Sequence, residues 1–160
     1  MTDTDDTPQS PSARPGGQPK AGERRRARAL AMQALYQRHF SKSPIADIEA
    51  EFIVDNDMSK VDVAYFRDLL RGVSRAQAEL DRIIEPFLDR PLEEVDAIEL
   101  AIVRIGAYEL KHRIDVPYKV VINEGIEMAK RFGGTEGHKF VNGLLDKLSR
   151  RTRLAETRSR

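Results

Sequence analysis

Apolar residues recur at helical spacing along most of the chain and divide it into a series of predicted helices. The first predicted helix is "ERRRARALAMQALYQRHF" at residues 23–40. Its apolar positions form one stripe: Ala27, Leu30, Ala31, Ala34 and Leu35. A short helix is predicted after Pro44, with four apolar positions on one side: Ile45, Ile48, Phe52 and Ile53.

The middle of the chain predicts a longer helix that packs in a bundle. Its seam steps alternately by three and four residues: Val63, Phe66, Leu70, Val73, Gln77, Leu80, Ile84 and Phe87. Pro86 is expected to end or kink this helix. After Pro91, the segment "LEEVDAIELAIVRIGAYELKHR" is apolar around most of a helical circumference, which predicts a central helix.

Two further helices are predicted before the C-terminus. Pro117 is expected to begin one, because the first residue of a helix does not need its N–H group. Gly133 and Gly134 are expected to end it, and Thr135 to cap the last helix. Because no alternating strand pattern competes, we predict an all-α fold of six or seven helices.

The two ends of the chain have a different composition. Residues 1–22, "MTDTDDTPQSPSARPGGQPKAG", contain four prolines and three glycines and almost no large apolar side chain. Such a segment cannot bury enough surface to offset its ordering entropy, which predicts a disordered N-terminal tail. Residues 154–160 are expected to form a basic C-terminal tail, which leaves one folded domain at residues 23–153.

Charge is segregated along the chain although the formal net charge is only +1. Residues 22–44 and residues 116–160 each carry a net charge of +5, whereas residues 45–115 carry −8. If the two basic segments meet in space, they would form a face for a polyanion. The acidic middle would then form a second face, for a basic partner.

The sequence contains no recognisable catalytic, metal or cofactor motif. It has no cysteine, and its three histidines are too far apart for a metal motif. The cluster "FGGTEGHKF" does not have phosphate-loop spacing and is better explained as a turn between helices. Glu93 and Glu94 are neighbours on a helix and point in different directions, so they do not form an acid–base pair. We therefore predict a protein that is not an enzyme and needs no cofactor.

The location of the protein is predicted from the same features. No apolar run approaches the roughly 20 residues needed to span a bilayer, and the N-terminus has no signal-peptide core. A soluble cytoplasmic protein that does not interact with membranes is expected.

Four arginines at the start of the first helix, Arg24, Arg25, Arg26 and Arg28, raise the question of function. The N-terminal end of a helix carries the positive pole of its dipole, so cations are unfavourable there. One interpretation is a solvated charged surface. The alternative is that the arginines and the free N–H groups bind a phosphate chain.

Four segments of the sequence resemble the bacterial NusB transcription antitermination family: "RRRARALAMQALY", "DVAYFRDLLRGV", "VPYKVVINEGIEMAKRFG" and "GHKFVNGLLDKL". The resemblance covers about residues 23–153. It implies two small helical bundles packed together and no catalytic activity. It also implies binding of NusE, a ribosomal small-subunit protein, and of the boxA RNA element of ribosomal RNA leaders. Membership would place the protein in the RNA polymerase elongation complex with other Nus factors.

The resemblance also implies roles for individual residues. The RNA-binding positions are matched here by Arg24, Arg25, Arg26, Arg28, Glu136, His138, Lys139 and Phe140. The positions that face NusE are matched by Tyr36 and Glu99. Phe140 has the helical spacing of a core residue, so it either packs in the core or stacks on a base. Tyr36 could equally lie at the core edge, and the turn "GGTEG" before His138 is richer in glycine than is usual in the family.

Two other classes of function stay open from the sequence. NusB-like domains also occur fused ahead of ribosomal RNA methyltransferase domains, although no glycine pattern of such a domain follows here. A purely structural helical protein would leave the arginines merely solvated. Salt-dependent RNA binding separates that class from an RNA-binding adaptor.

Overall fold

The structure is a computed structural model that describes residues 20–158, so most of the predicted N-terminal tail and residues 159–160 lie outside the described residues. Within that range there is no strand, and the all-α prediction is confirmed. Eight α-helices follow one another: α1 (Ala21–Phe40), α2 (Ile45–Asp55), α3 (Val63–Arg75), α4 (Gln77–Ile84), α5 (Ala97–His112), α6 (Tyr118–Phe132), α7 (Gly137–Thr152) and α8 (Leu154–Arg158). Two short 3-10 segments, Glu85–Phe87 and Leu92–Glu94, lie between α4 and α5.

Side-chain caps and prolines define several helix ends as local chemistry predicts. Asp62 accepts a hydrogen bond from the backbone N–H of Tyr65 at the start of α3. Asp96 accepts from two backbone N–H groups at the start of α5. Pro86 lies in the 3-10 segment that follows α4, and Pro117 directly precedes α6. The predicted end at Pro86 is therefore confirmed, whereas Pro117 is the N-cap of α6 and not its first residue.

α5 lies at the centre of the molecule, as its apolar circumference predicts. It packs against α1, α3, α4, α6 and α7, and ten of its sixteen residues are buried. The α3–α5 contact is close at Gly72, where a Cβ atom would overlap the ring of Tyr108. The core is continuous from α1 to α7, and Phe66, Ile102 and Leu145 are fully buried in it.

Three predictions about individual elements are wrong. The expected single helix from Val63 to Phe87 is interrupted at Ala76, so α3 and α4 are separate. Together with α8, this interruption brings the number of helices to eight. Thr135 does not cap the last helix, because Glu136 is its N-cap residue and no side chain makes a capping hydrogen bond there. α1 begins at Ala21, inside the predicted tail.

The segment after residue 153 also differs from the predicted basic tail, because it forms α8 and contacts the domain. Arg153 is buried and donates to the carbonyl oxygens of Glu109, Leu110 and Arg113 at the C-terminal end of α5. Arg153 also pairs with Glu156 at 2.7 Å. The second Glu156 oxygen accepts from the backbone N–H of Tyr118 at 3.0 Å, so α8 connects the end of α5 to the start of α6.

None of the helices within residues 20–158 combines the length and apolar character needed to cross a bilayer. In the same range, histidine and carboxylate side chains do not form any group of three placed to hold a metal ion.

Candidate nucleic-acid interface

The four arginines at the start of α1 point in different directions, because each residue of a helix turns by about 100° relative to the one before. Arg28 points inward and is only 3% exposed. Its Nε donates to Glu109 Oε2 at 2.8 Å, and its Nη1 lies 3.7 Å from Glu124 Oε1. The hydroxyl of Tyr65 donates to the same Glu109 oxygen. Burial opposes the charge on Arg28, but these acidic and phenolic neighbours outweigh it and raise the arginine pKa.

This buried network joins α1 to α3, α5 and α6 through one guanidinium group. Because almost none of Arg28 reaches the surface, its position does not fit the predicted contact with RNA. Its physical role here is to neutralise the buried carboxylate of Glu109, which is 1% exposed.

Arg24 lies at the edge of the same network. Its guanidinium is 4.2 Å from the ring centroid of Tyr65, and the guanidinium of Arg113 is 4.8 Å from that centroid. Arg24 also lies 3.7 Å from a carboxylate oxygen of Asp62 and 3.5 Å from one of Asp115. Its charge is therefore shared with acidic neighbours, and its side chain is 22% exposed.

Arg25 is more exposed but has a strong partner. Its side chain is 59% exposed. Its guanidinium donates two hydrogen bonds to Glu124, from Nε to Oε1 at 3.1 Å and from Nη2 to Oε2 at 2.9 Å. This hydrogen bonding raises the arginine pKa. A phosphate that binds Arg25 must therefore compete with a buried carboxylate.

Arg26 is exposed and is the least neutralised of the four. Its Nη1 donates a hydrogen bond to the carbonyl oxygen of Lys60 at 3.3 Å. Among the described residues, no carboxylate lies within ion-pair distance of it. Lys20, the N-cap residue of α1, makes no side-chain capping hydrogen bond.

The second predicted RNA segment lies at the start of α7. Glu136 and Lys139 are both exposed and pair with each other at 2.8 Å, while His138 is half-buried. Phe140 is also half-buried and packs against the core, and the guanidinium of Arg90 lies 4.9 Å from its ring centroid. Phe140 thus serves the core, and a base that stacked on its ring would have to displace Arg90.

The two predicted RNA segments are connected along α6. Glu124 of this helix pairs with Arg25, and Arg131 near its C-terminal end lines a groove together with Arg26. The turn that leads to α7 begins directly after Phe132, the last residue of α6. The start of α1 therefore lies beside α6, and α6 leads through a short turn to the start of α7.

The predicted partner residues lie on two helices that pack against each other, α1 and α5. Tyr36 is 39% exposed, and its ring meets that of Phe40, which is 68% exposed. Glu99 is half-buried beside Gly137, where a Cβ atom would overlap its carboxylate. The sequence assigned Glu99 and the start of α7 to different surfaces, but the structure makes them neighbours.

Glu99 is also electrostatically unusual. Burial raises its pKa, and the charge of Asp96 adds to this shift, while Arg90 partly offsets it. No ion pair is formed within residues 20–158 by Glu99 or by its acidic neighbours Glu93, Glu94 and Asp96. These four residues form an acidic surface at the start of α5.

Sequence reasoning missed two residues of this region. From the sequence, Glu124 is expected to be a surface or capping group. It is instead 8% exposed, accepts hydrogen bonds from Arg25 and forms an ion pair with Arg28 at 3.7 Å. The spacing of Glu124 from the buried residues Val121 and Met128 was the available sign. Nothing in the sequence marks Arg131 as a residue of the candidate site, because basic residues are common in the last turn of a helix.

Comparisons with known proteins agree on one family. The NusB family model matches residues 25–150. A transcription antitermination protein NusB from Marinobacter nauticus is 81% identical over 160 residues, which is 100% of both chains. The corresponding protein from Pseudomonas entomophila is 54% identical over 95% of this chain and 92% of its own length.

Solved structures show the same relationship. T. maritima NusB superposes with a TM-score of 0.68 at 31% identity, covering 79% of this chain and 89% of the other. A chain from the crystal structure of the antitermination factors NusB and NusE in complex with double-stranded RNA has a TM-score of 0.71 at 22% identity. That match covers 82% of this chain and 99% of the other, and it supports the fold. The chain belongs to the NusB family.

Proposed function

We propose that this protein is an RNA-binding transcription antitermination factor. Together with NusE it binds the boxA element of ribosomal RNA leader transcripts and supports processive transcription of ribosomal RNA operons. It acts in the cytoplasm, within the RNA polymerase elongation complex and with other Nus factors, and it catalyses no reaction. The names of the close relatives support the antitermination role, and the solved NusB–NusE complex with RNA supports the two partners.

The observation that carries the proposal is the exposed, poorly neutralised charge at the start of α1. Arg26 has no carboxylate partner among the described residues. Arg25 pairs with Glu124 but still presents more than half of its side chain to solvent. Phosphate contacts by such groups supply most of the affinity for nucleic acid and make it sensitive to salt. At the start of α7, the exposed Lys139 could add a phosphate contact if it exchanged Glu136 for the RNA.

The acidic surface at the start of α5 supports a basic protein partner. Its residue Glu99 is desolvated and unpaired in the described structure, which is costly unless a partner supplies a cation. The exposed rings of Tyr36 and Phe40 supply apolar contact area on α1. Interfaces between proteins are enriched in aromatic residues of this kind.

We further infer that the helices form two bundles. α1, α2 and α3 pack against one another, whereas α5 and α7 contact each other and both contact α4 and α6. The α1–α5 and α3–α5 contacts join the two sets. The RNA surface would then span the junction, since it includes residues from α1 and α6.

A purely structural protein and a methyltransferase-associated module are the alternatives. The named relatives are antitermination proteins matched over at least 92% of their own length, which favours the adaptor. Binding of a boxA RNA oligonucleotide should be measured by fluorescence anisotropy with this protein, with NusE, and with both. We expect the mixture to bind more tightly than either protein, and to prefer boxA over an RNA of the same composition in scrambled order. Equal binding of both RNAs, or no gain on mixing, would contradict the proposal.

A further inference from the structure

A small groove lies between α1, the turn that joins α2 to α3, and the C-terminal end of α6. It has a volume of about 190 Å³. Its lining residues are Arg26, Ala29, Leu30, Gln33, Asn56, Asp57, Val61 and Arg131. This volume is below the roughly 300–1,000 Å³ of pockets for drug-sized ligands, so the groove suits one unit of a longer chain.

The groove carries two guanidinium groups and one carboxylate. Arg26 donates to a backbone carbonyl, and Arg131 lies 4.7 Å from the ring centroid of Phe132. Neither arginine has an ion-pair partner within residues 20–158. The carboxylate belongs to Asp57, whose Oδ1 accepts from the backbone N–H of Ser59 at 3.0 Å.

This arrangement differs from that of the other arginines near the start of α1. Arg24, Arg25 and Arg28 each contact carboxylates, which lowers their availability to an anion. Arg26 and Arg131 are both exposed and come from different helices, so they can approach one phosphate from two sides. The polar side chains of Gln33 and Asn56 lie within the same groove and can hydrogen-bond a base or ribose.

We propose that this groove is a nucleotide subsite, in which Arg26 and Arg131 together hold one backbone phosphate of single-stranded RNA. The inference rests on the proposed function, and it adds Arg131 of α6 to the RNA-binding residues. It also makes Arg26 the main phosphate-binding residue among the four arginines at the start of α1.

The test compares Arg131→Ala with Lys130→Ala. Lys130 is the preceding residue of α6, carries the same charge, is 54% exposed and does not line the groove. Affinity for boxA RNA with NusE present should be measured at several salt concentrations for the wild type and both variants. We expect Arg131→Ala to weaken binding several-fold and to reduce the log–log salt slope by roughly 0.7, the value for one single-strand phosphate contact. Lys130→Ala should leave the slope unchanged.

A double variant, Arg26→Ala with Arg131→Ala, tests whether the two arginines share one phosphate. If they do, the double variant should lose about as much slope as either single variant, rather than the sum of both. Slope losses that add would show two separate phosphates and overturn the shared subsite.

The outcomes separate this inference from the proposed function. If the wild type binds boxA RNA but the Arg131 and Lys130 variants behave alike, the subsite is wrong and the function stands. If the wild type does not bind boxA RNA, the proposed function itself fails. Melting curves check that each variant is folded, since both substitutions are at exposed positions of a helix.

Discussion

Arg26 and Arg28 are two positions apart on α1, yet one is exposed and the other is buried. The difference follows from helical rotation, which turns Arg28 toward Glu109 on α5 and Arg26 toward solvent. A buried charge is tolerated only when it is paired, whereas an exposed charge adds little to stability. The two residues should therefore differ sharply in what their removal does.

We expect Arg28→Ala to destabilise the fold by about 3–5 kcal/mol, because it leaves the buried carboxylate of Glu109 without its partner. Arg26→Ala, the matched control, should change stability by less than about 0.5 kcal/mol. Urea denaturation of both variants measures the difference. Similar midpoints for the two would contradict the structural role of Arg28.

Glu99 gives a prediction with a defined pH dependence. Its folded-state pKa is raised by burial, so the folded protein holds its proton more tightly than the unfolded chain does. Stability therefore falls as pH rises from the unfolded pKa of about 4.5 through the folded value. Glu99→Gln removes this cost, so the variant should melt at a higher temperature than the wild type at pH 7. The gain should disappear below about pH 4.

The same substitution should weaken binding to NusE, if Glu99 meets a cation of that partner. Stabilisation without any loss of NusE affinity would assign Glu99 to the free surface instead. Because Glu99 lies beside Gly137, binding of RNA by the isolated protein should be measured as well.

At the scale of the elements, the close contact between α3 and α5 requires a glycine at position 72. Gly72→Ala would force the ring of Tyr108 aside and disturb its hydrogen bond to Asp68. We expect a loss of about 1–3 kcal/mol from overpacking, larger than the gain in helix propensity of about 1 kcal/mol. Gly143→Ala is the control, because its position on α7 is exposed and open. It should stabilise the protein by about 0.5–1 kcal/mol, and calorimetric melting of the two variants decides whether their effects have opposite signs.

The helices themselves could be predicted from the sequence, because apolar spacing and proline positions are local signals. The stripe through Ala27 and Ala31 and the central position of α5 are examples, and both are confirmed. The interruption at Ala76 was not predictable, since the apolar seam continues across it and the hydrogen bonds on both sides are kept. The spacing of apolar residues shows which side of a helix is buried. It does not show a change of backbone angles at a single residue, because that change leaves the spacing intact.

The candidate site was predictable only in part, for a different physical reason. Sequence identifies charged residues but does not say which charges neutralise one another in space. Arg25 pairs with Glu124, which lies 99 positions away, and Arg28 with Glu109, which lies 81 positions away. Such long-range pairs leave no local pattern in the sequence. Only the structure shows which arginines pair with buried carboxylates and which can bind an anion.

At the scale of the whole molecule, the structure brings the two basic parts of the sequence together. α1 and α6 meet through Arg25 and Glu124, and their residues Arg26 and Arg131 share a groove. Part of the acidic middle is neutralised internally, because Glu49, Asp68 and Asp81 pair with arginines of the same segment. The acidic surface at the start of α5 makes no ion pair among the described residues and is available to a basic partner. This separation of charge suits an adaptor that joins RNA to protein.

The most direct test of this account is the salt dependence of RNA binding by a variant that loses both exposed arginines, Arg25→Ala with Arg26→Ala. Arg24 and Arg28 are kept in it, because Arg24 lies on the ring of Tyr65 and Arg28 still pairs with Glu109 and, at 3.7 Å, with Glu124. Affinity for boxA RNA should be measured with NusE at four or more salt concentrations, with melting curves alongside. We predict a folded variant whose log–log slope is smaller than that of the wild type by roughly 0.7 to 1.4, for one or two lost phosphate contacts. An unchanged slope in the folded variant would contradict the claim that the start of α1 binds RNA.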